Sequence, residues 1–263
     1  QDGVLYNEMH GYVEDMDGAS MRDSVIGVSE DHKVGLALEK YNAQIKSVSY
    51  EVRSLDMSRL IESGDDLQAE DDGKYLHISL TLKDLLTQGE EYLLVTPGNY
   101  GADYLREHMD LPYEKNIKCS NYVGETIDMA IDMGVKGILF IAHIGKFVKV
   151  AAGIMNTHSH SADARMEVLA SNAIRAGASL ECAKEILNAS TTDEAIDILE
   201  KYQILQKTMK EILDRIQFYL NHRSYEQILL GAVIFNNTYG YLGQTADAEK
   251  LIKLINAQND EAQ

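Results

Sequence analysis

Residues 137–146 read GILFIAHIGK, and everything else in this chain falls into place around them. From Gly137 to Ala142 the run is apolar without alternation, as in a strand covered on both faces. It meets a histidine, a glycine and a lysine, which break a strand and open a turn. A helical stretch follows, from Phe147 to about Met155. The unit strand, polar turn, helix then recurs on either side. Tyr92 to Thr96 (YLLVT) leads into PGNYG (97–101) and a helical stretch near 102–108. IKCSN (117–121) precedes an amphipathic segment, 123–133. Gln227 to Phe235 enters NNTYGYLGQT (236–245), and 246–257 closes as a helix. Between these, 162–176 reads as a helix begun by SADARME, and 179–222 as wholly helical with breaks near 189–192 and 202. Thr192 ahead of Asp193 and Glu194 supplies a helix start. The alternation predicts an α/β fold over about 91–263, a mostly parallel sheet covered by helices.

Residues 1–90 read as a smaller, acidic α+β region. Short β-type runs occur at 25–28 and 47–52, and YLHISLTL (75–82) alternates like a half-buried strand. Residues 61–73 are acidic and turn-rich, as in an exposed loop. A glycine-rich nucleotide loop is absent from this sequence.

Among 263 residues, 45% are hydrophobic and 25% charged, with a formal net charge of −18. Such a chain repels nucleic acid and anionic membranes outside a local basic patch, so neither is an expected partner. The opening residues lack the pattern of a signal peptide, and no apolar run reaches the roughly 18–20 residues that span a bilayer. Cys119 and Cys182 are the two cysteines, too few for a disulfide framework, and a cytoplasmic protein with reduced thiols is expected. The acids are uneven: residues 1–90 hold 19 acids against 8 Lys and Arg, residues 91–263 hold 23 against 16. Between Asp132 and Asp163 there is none, while Lys136, Lys146 and Lys149 fall in that window. Two readings stand there: a patch meeting an anionic ligand, or a buried strand and apolar helix.

In a parallel sheet all strands end at one edge, where such folds bind ligands. PGNYG, CSN, HIGK and NNTYG should therefore converge, bringing together Asn99, Asn121, His143, Lys146, Asn236 and Asn237. Lys146, near a helix start, has free backbone N–H groups for company, which suits a phosphate or carboxylate. Lys149 shares its helical face; the pair reads either as anion ligands or as surface lysines. His158 and His160, two apart, read as a metal pair, as an anion-facing loop or as a solvated helix cap. Cys119 beside Lys118 reads as a nucleophile or as a buried thiol. Glu125 and Asp128 read as an acid–base pair or as charges near a helix start. Tyr100, Tyr122, Tyr239 and Tyr241 suit either a flat ligand or core packing.

LLVTPGNYG, IKCSNYVGETIDMA, GVKGILFIAHIGKFVKVAAGIMNTHSHSADARME, RIQFYLNHRS and GAVIFNNTYGYLGQT, in this order, resemble the cobalt-precorrin-5B C(1)-methyltransferase family of anaerobic cobalamin biosynthesis. The likeness covers roughly residues 91–256. It implies methyl transfer from S-adenosylmethionine to ring carbon 1 of an anionic cobalt-precorrin, giving cobalt-precorrin-6A. Carried over by motif, Thr96, Gly98, Asn99, Tyr100, Gly101, Asn121 and Glu125 would hold the methyl donor. His143, Gly145, Lys146, Lys149, Asn156, His158, Ser159, Asp163, Arg165, Asn236 and Tyr239 would hold the substrate, with Glu125 and His143 as candidate catalytic groups. No protein metal is implied, because the cobalt arrives with the substrate. Residues 1–90 depart from the family's opening region and read as shortened or rebuilt, and Ala142 stands where glycine is expected. The other readings left open are a non-catalytic tetrapyrrole- or nucleotide-binding remnant, and an α/β enzyme acting on a phosphorylated substrate at His143–Lys146. The oligomeric state, a homo-oligomer included, is left open too.

Overall fold

A computed structural model describes residues 67–261. The β-type runs expected at 25–28 and 47–52, and the first part of the acidic loop, lie outside them. The chain divides between Asp84 and Leu85 into two units. The second unit, 85–263, carries the sheet and all the loops discussed below.

YLHISLTL is not a strand. It lies inside helix α1, Leu67–Thr87, which also takes in 67–73 of the expected loop. Ile78, Leu82 and Leu85 are buried at a spacing of four and three, one face of a helix. Alternation over eight residues gave the wrong period because Ile78 and Leu82 satisfy both templates. Thr81 adds a helical signature, donating its hydroxyl to the His77 carbonyl four residues back at 2.8 Å.

The sheet follows the expected grammar. Its strands are β1 (Tyr92–Thr96), β2 (Ile117–Lys118), β3 (Gly137–His143), β4 (Leu229–Asn236) and β5 (Gly240–Gln244). They lie in the order β2-β1-β3-β4-β5. The first four are mutually parallel; β5 returns antiparallel to β4. The segment expected as a loop after β4 is thus mostly a hairpin, turned by the positive-φ Gly240. In β3 every residue but His143 is buried, which is why its sequence shows no alternation.

Helices cover both faces. Leu94, Leu139, Ile141, Val233 and Phe235 form one core layer with Leu105 of α2 (Asn99–His108) and with Ala248, Leu251 and Ile255 of the last helix. The alternate residues of β3 and β4 face the other way, on the side of the long helix Leu205–Ser224, which packs against β4. The remaining helices are α3 (Val123–Asp132), the single turn α4 (Ile144–Phe147), α5 (Arg165–Arg175), α6 (Leu180–Asn188) and α7 (Thr192–Lys201). The long helix is α8 and the last, Ala248–Glu261, is α9. Thr191, one residue before the expected start, caps α7 by accepting from the Glu194 N–H at 3.1 Å. The helix expected at Phe147 is instead α4 followed by a 3₁₀ turn, Val148–Ala152, closed by Gly153 at φ 80°. No described helix is long and apolar enough to cross a membrane.

Candidate functional site

The connection from β1 leads outward to β2, and the one from β3 leads the opposite way to β4. The connections leaving these two paired strands therefore diverge, which marks the crevice where open α/β sheets take ligands. Two of the expected loops, PGNYG and HIGK, form its walls.

PGNYG turns sharply. Gly98 sits at φ 110°, ψ −178°, a backbone that a side chain would strain, and it stands at the N-cap of α2 without a side-chain cap. A Cβ placed on Gly98 would lie 3.4 Å from the Lys146 ammonium. Loop and lysine are thus neighbours. Lys146 also donates to the Ser120 carbonyl at 3.4 Å. Lys118, which follows β2's first residue, donates to the Asn99 side-chain oxygen at 3.1 Å. No acid lies in the first turn of α2, and two ammonium groups stand at its positive end, a concentration of positive charge that suits an anion. Thr96 is fully buried and accepts from the Asn116 amide at 3.0 Å, and its carbonyl accepts from the Cys119 N–H. Gly101 is a packing glycine: a Cβ there would come within 2.4 Å of the Ile141 carbonyl. Tyr100 is 64% exposed, its ring centroid 5.7 Å from that of His143.

His143 ends β3 and caps α4. Its Nδ1 accepts from the Gly145 N–H at 3.1 Å, which puts the ring proton on Nε2. Phe235 meets the ring edge-on at 5.5 Å. Burial lowers the His143 pKa below its ordinary 6.5, and Asp193 opposes that shift. The imidazole is neutral near pH 7. Gly145 leaves room for α7: a Cβ there would lie 3.3 Å from the Thr192 hydroxyl.

Asn236 is nearly fully buried and its amide makes three hydrogen bonds. Its oxygen accepts from the Thr238 and Tyr239 N–H groups at 2.7 and 3.0 Å, and its nitrogen donates to Asp193 at 2.7 Å. Tyr239 donates its hydroxyl to Asp197. Both residues tie the β4–β5 turn to α7. Asp193 and Asp197 were not singled out from the sequence, because acids in a helix's first turns look like ordinary dipole partners. Tyr241 is 55% exposed.

The outer wall comes from 155–165. Asn156 bridges Tyr122, and the Thr157 N–H donates to the Asn121 carbonyl at 2.9 Å, so this segment runs antiparallel beside the CSN loop. His158, Ser159 and His160 are exposed; Asp163 and Arg165 hold each other through two hydrogen bonds of 2.7 and 2.9 Å. The side chain of Arg165 is 30% exposed. Among the described residues no three His, Cys, Asp or Glu side chains gather as a metal would need.

The lysine patch expected between Asp132 and Asp163 comes apart. Lys136 sits at the amino end of β3, at the far edge of the sheet, paired with Glu91 at 2.7 Å. Lys149 is 2% exposed, and burial lowers its pKa. It does not line the crevice with Lys146; its ammonium donates to the Thr157 and Ala162 carbonyls. Lys146 alone of the three stands in the crevice, with Lys118 taking the second place.

Two other readings are corrected. Cys119 is fully buried and its thiol is pushed up to about 12 by burial, Lys146 opposing, so it is no nucleophile at neutral pH. Asp128 is not half of an acid–base pair with Glu125. It takes a two-pronged ion pair from Arg223 at the end of α8. Gly124 allows that closeness, since a Cβ there would lie 3.3 Å from the Arg223 guanidinium carbon and 2.8 Å from the Met155 Cβ.

Fold and crevice define a doubly wound α/β protein whose polar turns meet at one sheet edge. Residues 156–246 match the family model described as CbiD, C-terminal domain. A cobalt-precorrin-5B C(1)-methyltransferase of Ruminiclostridium cellulolyticum is 43% identical over 162 residues, 62% of this chain and 42% of the relative. One of Clostridioides difficile is 36% identical over 191 residues, 70% of this chain and 46% of the relative. The chain spans less than half the length of these relatives. No solved structure matches it.

Proposed function

We propose that this chain takes part in cobalamin biosynthesis as a cytoplasmic S-adenosylmethionine-dependent methyltransferase, methylating carbon 1 of cobalt-precorrin-5B to give cobalt-precorrin-6A. The observation that carries the reading is the meeting of PGNYG and HIGK at the crevice between β1 and β3, with Lys146 beside Gly98. The names of the relatives point the same way.

A precorrin bears a ring of acetate and propionate carboxylates, which suit Lys146 and Lys118 through charge-assisted hydrogen bonds. S-adenosylmethionine is assigned to the Tyr100 side of the same crevice, where the exposed ring offers a π face to a cation or a flat base. When bound, it supplies an electrophilic methyl group: a C–C bond forms as the C–S bond breaks, and that electron pair stays on sulfur. The residues contribute alignment, potentially ~7–11 kcal/mol of such a barrier. His143, neutral and with its Nδ1 occupied, offers an Nε2–H donor to the ring substituents. A cation next to a sulfonium repels it, so we assign Lys146 to the ring carboxylates and Glu125 to the donor.

Mass spectrometry of the chain with cobalt-precorrin-5B and S-adenosylmethionine should show a gain of one methyl group. Precorrin bound without that gain would make the chain a binding module; binding of neither would refute the reading. Calorimetry adds a sharper test. Lys146→Ala should weaken precorrin about tenfold, the worth of one charged hydrogen bond at ~1.5 kcal/mol, and S-adenosylmethionine far less.

A further inference from the structure

Lys149 is buried where a lysine is costly. Among the described residues it is the one buried cation. An ammonium taken from water is tolerated only when its protons are matched. Two are: the ammonium donates to the Thr157 carbonyl at 3.0 Å and the Ala162 carbonyl at 2.7 Å. These carbonyls stand at the two ends of Thr157-His-Ser-His-Ser-Ala162, so one side chain clamps both feet of an arch.

The arch is braced from within as well. The His160 N–H donates to the His158 ring at 3.1 Å, and the Ser161 and Ala162 N–H groups both donate to the His158 carbonyl. Its outer residues are nevertheless exposed and have no core of their own. The clamp itself is rigid: Lys149 projects from the 3₁₀ turn Val148–Ala152, whose Val148 and Val150 are fully buried.

We infer that Lys149 is a positioning residue: it fixes the His158–Ser161 arch in the shape that forms the outer wall of the substrate crevice, without touching the substrate. This rests on the functional reading above for what the wall faces, but not for the clamp itself. A sequence signal existed, since FVKVAAG places one lysine in an otherwise apolar run.

The test is Lys149→Met in the full chain, read first by amide hydrogen exchange on the free protein. Exchange at Ser161 and Ala162 should rise about tenfold or more, as for loss of one charged hydrogen bond, while Ile141 and Ala142 of β3 stay protected. Cobalt-precorrin-5B should then bind about tenfold more weakly, with S-adenosylmethionine unchanged, and Lys149→Arg, which keeps the donors, should restore part of the loss. Unchanged exchange at Ser161 and Ala162 overturns the clamp. A loosened arch with unaltered precorrin affinity overturns its positioning role. If Lys149→Met also releases β3, the wild type decides: a slowly exchanging Nζ ammonium signal from Lys149 supports the clamp, and a fast-exchanging one overturns it. A wild type that binds no precorrin sinks the functional reading and the role of the wall, while the exchange result still judges the clamp.

Discussion

His143 carries the clearest pH signature in the crevice. Burial holds its pKa below 6.5 when folded, whereas the unfolded chain keeps the ordinary value. Between those two values the unfolded state binds more protons, so stability rises with pH there and is lost on acidification. Protonation also removes the Nδ1 acceptor of the Gly145 N–H. Thermal melts below about pH 6.5 should therefore show a steeper loss for the wild type than for His143→Asn; equal slopes would remove His143 from the account. The residue types that mark this crevice were visible in the sequence, but their roles were not. Asn236 and Tyr239 look like ligands by motif, yet their polar atoms bind Asp193 and Asp197, contacts between segments more than forty positions apart. No local pattern encodes such a pairing.

Helices and strands were more legible, because burial on one face or two leaves a period in the chain. β1, β3 and β4 read as continuous apolar runs, and the break between α6 and α7 shows in the capping threonine, while α8 starts after Ile204 with no side-chain cap. The failures arise where a short segment carries too little periodic signal. YLHISLTL satisfied the strand template while forming part of α1, and the hairpin strand β5, two of whose five residues are glycine, had too few side chains to alternate. Packing between elements gives a test of its own. α2 rides directly on β3 because Gly101 has no side chain to hold it off the Ile141 carbonyl. Gly101→Ala should cost ~1–3 kcal/mol in denaturant unfolding, as overpacked contacts do, and a neutral result would mean that α2 sits farther from the sheet.

Charge and thiols describe the molecule as a whole. The formal charge of −18 says little about where cations gather, and the acid-free window divides among three places once folded: a sheet edge, a crevice and a clamp. Linear spacing cannot separate these, since a strand carries Lys136 and Lys146 to opposite ends of the sheet. Cys119 and Cys182 are both fully buried, with pKa values raised mainly by burial. A thiol reagent such as Ellman's should find neither cysteine in the native protein and both in denaturant, tracking global unfolding. One rapidly labelled thiol would contradict the packing around it.

The β3–β4 ladder joins neighbours separated by residues 144–228, with His143 set against Phe235 and Gly137 against Leu229. A ribosome therefore delivers β1, β2 and β3 long before the partner that covers the free side of β3. For that interval of synthesis β3, buried at every residue but His143 in the finished fold, has an open flank, and α5 to α8 must emerge before it can be sealed. The wait for β4, rather than the finished fold, is where an unpaired strand edge invites aggregation and a chaperone would help.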